Sequence, residues 1–245
     1  MKELWRFPIK SMQGERLESA DFDIEGLRGD RAFALLDIET DKIVTAKSLK
    51  RFPDIFSYSA QFSEEPVPGS PLPAVHVELP GGGRVSTLAE NFDEVLSGSL
   101  GQAVRLIRVG ERDDIPYHDA CPVSVLTEST LARLRELQPG SDFDVRRFRM
   151  NVIVESSEPG FPENDWVGLA MNVGAAVRLQ LIRPNARCVM TTLAQDELPL
   201  DKEIFAAMVR HNRLEMENTR RYPCAGVYAR VTTGGRVARG DSLSA

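Results

Sequence analysis

Short bursts of alternating apolar and polar positions run through the first hundred residues, the period of half-buried strands. They predict strands at Lys2 to Phe7, Leu17 to Ile24, Arg31 to Leu36, Ile43 to Ala46, Ile55 to Phe62 and Val75 to Leu79. Gly26-Leu-Arg-Gly-Asp30 reads as a turn into Arg31, and Gly81-Gly-Gly83 reads as a hairpin connection into Arg84-Val-Ser86. Pro66 to Pro73 carries four prolines in eight residues, which excludes helix and central strand alike and predicts an exposed loop. A short helix from about Asn91 to Leu100 and a strand from Ala103 to Val109 close this half, and the charged turn Gly110 to Asp114 is the boundary segment.

Beyond it the pattern is mixed. A strand at Val123 to Leu126 leads into a helix from about Glu128 to Gln138, with Thr127 as N-cap and Pro139-Gly140 as the stop. Strands follow at Asn151 to Glu155, Ala175 to Leu181 and Arg187 to Thr191, then a last helix from Asp201 to His211. Val227 to Thr232 and Arg236 to Ala238 are predicted to pair as a terminal hairpin across Gly234-Gly235. Many short strands with about three helices predict a β-rich α+β architecture rather than regular βαβ alternation.

Composition adds exclusions. The 245 residues are 42% hydrophobic and 27% charged, the balance of an ordinary globular chain. The longest apolar run, Ala32 to Leu36, is too short to span a bilayer, and the charged start Met1 to Arg6 lacks the apolar stretch of a signal peptide, so a cytoplasmic protein without a membrane span is expected. A net charge of -6 provides no basic field for a polyanion, and no nucleic-acid partner is expected. Cys121, Cys188 and Cys224 are odd in number and widely spaced, which argues against a disulfide framework or zinc knuckle and for a reducing compartment. No dinucleotide, P-loop or nucleophile-elbow motif is present.

Two basic clusters stand against the acidic average: Arg146-Arg147-Phe148-Arg149 before a strand, and Arg183 to Arg187 ending at Cys188. Arginines at strand ends can bind an anion bidentately, and the bland alternative is solvated or carboxylate-paired loop charge. A cation beside Cys188 can hold it as the thiolate that attacks or ligates a soft metal; the alternative is an inert core cysteine. Cys224 is expected to be structural. Asp119, before Cys121, is either an orienting carboxylate or an ordinary turn residue, and the neighbouring His118 either a proton shuttle or merely exposed.

These residues together resemble a known family. Leu4-Trp-Arg-Phe-Pro-Ile-Lys-Ser11, Gly14-Glu15 and Gly26-Leu-Arg-Gly-Asp-Arg31 resemble the β-barrel domain that precedes MOSC domains. Asp119-Ala-Cys-Pro122, Arg147-Phe-Arg-Met-Asn151, Glu163-Asn-Asp-Trp166, Ala186-Arg-Cys-Val-Met-Thr-Thr192 and Gly240-Asp241 resemble the MOSC domain itself. The resemblance implies an N-terminal sheet or barrel-like domain over 1–110 packed on a C-terminal MOSC β-barrel domain over 111–245, with a cofactor in the cleft between them.

It further implies similarity to the amidoxime-reducing components: a molybdenum cofactor in its molybdopterin form, reduction of N-hydroxylated or N-oxide small molecules, and a bacterial source; an association with pyridoxal phosphate is a further expectation. Carried over by position, Cys188 is the thiolate ligand of molybdenum, and Lys10, Ser11 and Arg31 hold the pterin phosphate and neighbouring polar atoms. Arg149, Asn151 and Arg187 complete the cradle, and Asp119 lies at the open side of the metal. Cys121 stands where relatives commonly carry a small hydroxyl, Met150 replaces a proline, and Asn164-Asp165 replaces adjacent acids. No cysteine-rich extension follows, so electrons are expected from a separate ferredoxin-like, cytochrome or flavoprotein partner. Two other readings remain open: a sulfur carrier using a Cys188 persulfide, and a non-catalytic cofactor-binding module.

Overall fold

A computed structural model describes residues 1–48, 50–111, 121–216 and 219–245. The chain divides into two compact units that interleave in sequence. One combines Met1–Trp5 and Leu17–Leu27 with Ala120–Ala245; the other holds Arg6–Arg16 and Arg28–Asp119.

The first unit is built around a nine-stranded sheet. In order across it lie Leu243–Ser244, Ala170–Val173, Val177–Ala186, Arg221–Thr233, Val123–Thr127, Val152–Val154, Glu3–Arg6 and Glu15–Leu17, with Arg213–Glu215 paired to one end of Arg221–Thr233. Val123–Thr127 and Val152–Val154 run parallel, which requires a crossover; the helix α2 (Glu128–Leu137) lies in it. Every residue of Val123–Thr127 is buried, because both faces of the sheet are covered. Val123, Val125, Val152 and Val154 point into a core with Leu179, Leu181, Val227 and Ala229, closed by Ala20, Phe22, Leu27 and Val237. Leu126 and Ile153 point the other way, onto Leu131, Leu134, Ile204, Ala207 and Met208 of α2 and α3 (Glu203–His211).

The N-terminal strand is fixed in this sheet by one side chain. Asn151, 1% exposed, accepts from the Ser124 backbone N–H at 3.1 Å and its hydroxyl at 3.0 Å through Oδ1, while its own backbone N–H donates to the Ser124 hydroxyl at 3.2 Å. Its Nδ2 donates to the Trp5 carbonyl at 3.4 Å, and the Trp5 N–H returns a bond to the Asn151 carbonyl at 2.8 Å.

The second unit has two three-stranded antiparallel sheets, Val104–Arg108 with Phe33–Asp37 and Lys42–Ile43, and Ser59–Phe62 with Val75–Glu78 and Arg84–Ser86, plus helix α1 (Phe92–Leu100). Its buried Arg6 pairs with Glu15 at 2.8 Å and Glu65 at 3.1 Å and lies over the Phe62 ring. The predicted β-rich α+β class is what the chain adopts: three α-helices occur among the described residues.

Two predicted pairings are corrected. Gly235–Ala238 does not form a terminal hairpin with the preceding strand; it pairs antiparallel with Ser19–Asp23, more than two hundred residues earlier, where Val237 joins the core. Arg187 to Thr191 is not a strand. The Thr191 and Thr192 hydroxyls bond back to the carbonyls of Cys188 and Val189, three residues before each, so the chain closes a 3-10 turn at Val189–Thr192. Similarly, Ile55 opens its predicted strand as a 3-10 turn, Ile55–Ser57. The Thr127 cap, by contrast, forms as expected, its Oγ1 accepting from the Thr130 N–H at 3.1 Å.

Asn151→Ala leaves the buried Ser124 N–H without its acceptor, and we expect a loss of about 1–3 kcal/mol in the denaturant-extrapolated unfolding free energy. Adding Ser124→Ala should cost less than its own single-variant effect, a coupling readable in a double-mutant cycle.

Candidate functional site

The arginine clusters predicted from sequence fall together, and most of their cations are consumed in fixing the backbone. Arg146 pairs with Asp144 at 2.9 Å and Glu197 at 2.6 Å. Arg147, 1% exposed, donates to three backbone carbonyls, Asp142 at 2.9 Å, Leu193 at 3.1 Å and Pro199 at 2.9 Å. Burial presses its pKa down, against the pull of Asp201, Asp142 and Asp144. Arg187 donates to the Phe148 carbonyl at 2.6 Å and to Asn185 Oδ1 at 2.9 Å, and its guanidinium lies 5.7 Å from the Phe148 ring centre. Its backbone N–H is held by the Pro223 carbonyl at 2.8 Å. Arg147 and Arg187 thus tie the 3-10 turn Val145–Phe148 to the turn that begins at Cys188. Arg149, Arg187 and Cys188 are the predicted site residues brought together in this unit.

Cys188 stands at the N-cap of that turn, in extended backbone, with its carbonyl accepting from the Thr191 N–H at 3.2 Å and hydroxyl at 3.0 Å. It is half-buried, whereas Cys121 and Cys224 are buried. Burial pushes the Cys121 thiol up, opposed by the charges of Arg183 and Arg230. Burial also pushes Cys224 up, to about 11, and its Sγ donates to the Tyr222 carbonyl. Both thiols are therefore protonated and sheltered at neutral pH, which leaves Cys188 as the accessible nucleophile or soft ligand.

Lys10, Ser11 and Arg31 gather in the other unit. The Lys10 N–H donates to the Phe33 carbonyl at 2.9 Å, the Arg31 N–H to the Phe7 carbonyl at 2.7 Å, and the Phe7 N–H to buried Asp30 at 2.8 Å. Asp30 also pairs with the Arg31 guanidinium, which lies over the Phe7 ring. The buried Ser11 hydroxyl accepts from the Ala46 N–H at 3.2 Å.

Backbone conformation sets these residues apart. Ser11, Arg31 and Arg149 have φ of 68°, 51° and 52°, the left-handed region that side chains other than Gly, Asn and Asp rarely occupy. Among the described residues only Asp41, Asp196 and Thr219 join them outside glycine, and the two aspartates tolerate that region. Each such residue costs of the order of 1–3 kcal/mol, and such strain concentrates at ligand clamps.

The remaining predicted residues have other placements. Asp119 and His118 lie outside the described residues. The Asn151 side chain is committed to Ser124 and Trp5, so it shapes the strand entry next to Arg149. Met150 is core: its Sδ accepts from Asn185 at 3.4 Å. A Cβ on Gly226, which has φ +87°, would fall 2.5 Å from the Met150 methyl.

Glu163, the first residue of the Glu163 to Trp166 motif, ties the start of α2 to the strand Arg221–Thr233. It is fully buried, accepting from Thr127 Oγ1 at 2.7 Å, Thr130 Oγ1 at 2.6 Å and the Gly226 N–H at 3.0 Å. No sequence signal separates such a carboxylate from a surface one; a burial pattern around Pro162 and Trp166 is the nearest hint.

Comparison with known proteins places this geometry in a class. The MOSC domain family matches residues 112–244 and the MOSC N-terminal beta barrel domain matches 1–85. The chain belongs to the MOSC domain family, one associated with binding of the molybdenum cofactor. Among curated proteins it is 23% identical to mitochondrial amidoxime reducing component 2 of Macaca fascicularis, over 98% of this chain and 82% of that protein. It is 22% identical to mitochondrial amidoxime-reducing component 1 of Homo sapiens, over 98% and 81% respectively. The crystal structure of the YUAD protein from Bacillus subtilis shares the fold, with a TM-score of 0.50 at 13% identity, covering 99% of this chain and 92% of that one. No helix among the described residues is long and apolar enough to cross a membrane.

Burial raises the Glu163 pKa above the ordinary 4.5, with the three hydrogen bonds offsetting part of the rise. The folded state then binds this proton more tightly than the unfolded chain, so the group's contribution is full below the ordinary value and is lost as pH rises through the folded one. Glu163→Gln removes that dependence. Its melting temperature relative to wild type should climb between pH 5 and pH 8, and a constant difference across that range would show that Glu163 does not titrate there.

Proposed function

We propose that this protein is a molybdenum-cofactor oxidoreductase that reduces N-hydroxylated or N-oxide small molecules, with Cys188 as the thiolate ligand of the metal. The observation that carries the reading is the strain: Ser11, Arg31 and Arg149, three residues expected to hold the cofactor, are kept in left-handed backbone that their side-chain types disfavour. The donor set fits the group. Cys188 is a soft ligand on an accessible turn, and arginine, lysine and serine side chains suit a phosphate.

In this reading Lys10, Ser11 and Arg31 would hold the pterin phosphate and neighbouring polar atoms, and Arg149, Asn151 and Arg187 would complete the cradle. When bound, the cofactor supplies two-electron redox chemistry, so that conversion of N–OH to N–H consumes two electrons and two protons and releases water. The chain's part is positional. Arg187 fixes the Cys188 backbone through Phe148 and Pro223, and Thr191 closes the turn behind it. Cys121, buried with its thiol pKa pushed up, stays protonated rather than serving as a second ligand, and Asp119 is proposed to lie at the open side of the metal, where substrate or water sits. Electrons come from a separate ferredoxin-like, cytochrome or flavoprotein donor.

Elemental mass spectrometry of protein from cells that make the cofactor tests the assignment. Near-stoichiometric molybdenum in the wild type, lost in Cys188→Ala together with benzamidoxime reduction, is expected. A Cys188→Ala protein with full metal and activity would refute the ligand role, and absence of metal from both proteins would favour a Cys188 persulfide carrier.

A further inference from the structure

We propose that the paired strand ends carrying Arg213 and Arg221 are the docking surface for the protein that delivers electrons to the centre at Cys188, and that this partner is a small acidic one-electron carrier of the ferredoxin type. This rests on the reductase reading above. The ladder of the sheet sets the surface beside the site. Pro223 is in register with Arg213 on one side, and on the other its carbonyl accepts from the Arg187 N–H at 2.8 Å, with Cys224 in register with Ala186. Arg213 and Arg187 are therefore two strand spacings apart, about 10 Å between α-carbons, and Cys188 is the next residue. Arg221 lies two residues from Pro223, about 7 Å along the strand.

The charge there runs against that of the chain. Residues 210–221 contain four arginines, two glutamates and no lysine, within a chain of net charge -6. Arg213, Arg220 and Arg221 are exposed. Arg213 donates to the Arg221 carbonyl at 2.9 Å and Arg221 to the Arg213 carbonyl at 2.8 Å, so the two guanidiniums are locked across the strand pair. Neither makes an ion pair among the described residues, although the exposed Glu215 is in register with Arg221. Arg210, by contrast, pairs with Glu203 at 2.9 Å. Charges that only guard a short sheet edge need no fixed geometry. Two forks held by reciprocal bonds have lost rotamer freedom in advance, so little more is lost when a partner's carboxylates take their remaining N–H donors.

Composition points to a protein rather than a small anion. Leu214, Met216 and Tyr222 are half-buried beside the arginines, and arginine, aromatic and methionine side chains without lysine are the make-up of protein interfaces. An acidic partner is steered to a basic place on a chain that otherwise repels it. The stoichiometry asks for a contact of this kind. Conversion of one N–OH to N–H consumes two electrons and two protons and releases one water, so two reduced ferredoxins must each give up one electron and leave oxidised. A carrier that binds and departs twice per turnover suits a small, reversible contact of exposed charges rather than a large apolar one.

The experiment uses molybdenum-loaded wild type, the double variant Arg213→Gln with Arg221→Gln, its lysine counterpart, and Glu215→Gln, with an acidic plant-type ferredoxin as electron donor and benzamidoxime as substrate. The glutamine pair should raise the KM for ferredoxin about tenfold or more, the scale of lost charged hydrogen-bonded contacts, while its rate with dithionite-reduced methyl viologen stays at the wild-type level. Glu215→Gln should lower that KM, and the lysine pair should keep most of the affinity. Raising salt to about 0.3 M should cut the wild-type kcat/KM for ferredoxin steeply and that of the glutamine pair little. Calorimetric binding of oxidised ferredoxin gives a readout independent of turnover, and its Kd should move in the same order. An unchanged Kd and KM in the glutamine pair overturn the proposal. So does an equal loss in the lysine pair, which would assign the effect to shape rather than charge, and so does binding of phosphatidylserine vesicles without binding of ferredoxin. If wild type reduces benzamidoxime with neither donor the reductase reading fails, while the calorimetric comparison still decides for or against the surface.

Discussion

The rest of the structure depends on a buried amide. Asn151 bonds Ser124 on one neighbouring segment and Trp5 on another, and so helps to fix the N-terminal five residues as a strand of a sheet whose members, Glu15–Leu17 apart, lie more than a hundred residues later. Strand Glu3–Arg6 is where the chain leaves that sheet, and the next residues, through Arg16, belong to the unit that carries Lys10 and Ser11. A polar group placed so deep is tolerated only because each of its bonds is made, a condition that adds to apolar packing in specifying register. The return of Leu17–Leu27 and the pairing of Gly235–Ala238 with Ser19–Asp23 build on the same anchored strand entry.

On that frame the molecule spends stability on conformation rather than on contacts. Arg147 and Arg187 satisfy main-chain carbonyls, an unusual employment for the residue type best suited to carboxylates and phosphates. The consequence is rigidity: the turns ending at Arg149 and starting at Cys188 are bound to each other by cations with little rotational freedom. A ligand group held within a fraction of an ångström needs such support from residues that do not themselves touch it. Strain at Ser11, Arg31 and Arg149 belongs to the same account, because left-handed backbone persists only where surrounding bonds over-determine it. The Ser11 hydroxyl bond to Ala46 and the Asp30 bonds to Phe7 and Arg31 supply that constraint in one unit.

How much of this was legible in the sequence differs by the range of the interaction involved. Local signals were read correctly: the Thr127 cap, the proline-rich loop, the hairpin at Gly81 to Gly83 and the strand Val123–Thr127 all follow from patterns within a few residues. Strand partners were not. Gly234-Gly235 looked like a hairpin turn because local rules favour one, but burial of Val237 against Ala20 and Phe22 decided the pairing instead. The apolar start Val189-Met190 suggested a strand, and two threonine hydroxyls closing back on carbonyls outweighed it. The site was visible as residue types in a recognisable order, whereas the division of the arginines between Arg147 and Arg187, which hold carbonyls, and Arg146, which pairs with carboxylates, was not. That division depends on which carbonyls fold within reach, and no spacing along the chain encodes it.

The three cysteines show how one residue type is sorted by its surroundings. Cys224 faces a carbonyl in the core and Cys121 is desolvated at a strand entry, and for each the loss of water outweighs the stabilising field of the arginines nearby. Two guanidinium charges act on each of these thiols, and neither pair overcomes the desolvation. Exposure separates the three: a thiolate must be reached by its metal or substrate, and Cys188, on a turn whose hydroxyls are occupied with the backbone, is the thiol left open. The same competition acts on Glu163, where burial pushes the carboxyl's pKa up and the hydrogen bonds it accepts from Thr127, Thr130 and the Gly226 N–H pull it back only in part. Reactivity in this fold is thus assigned by where water is excluded first, and by the placement of cations second.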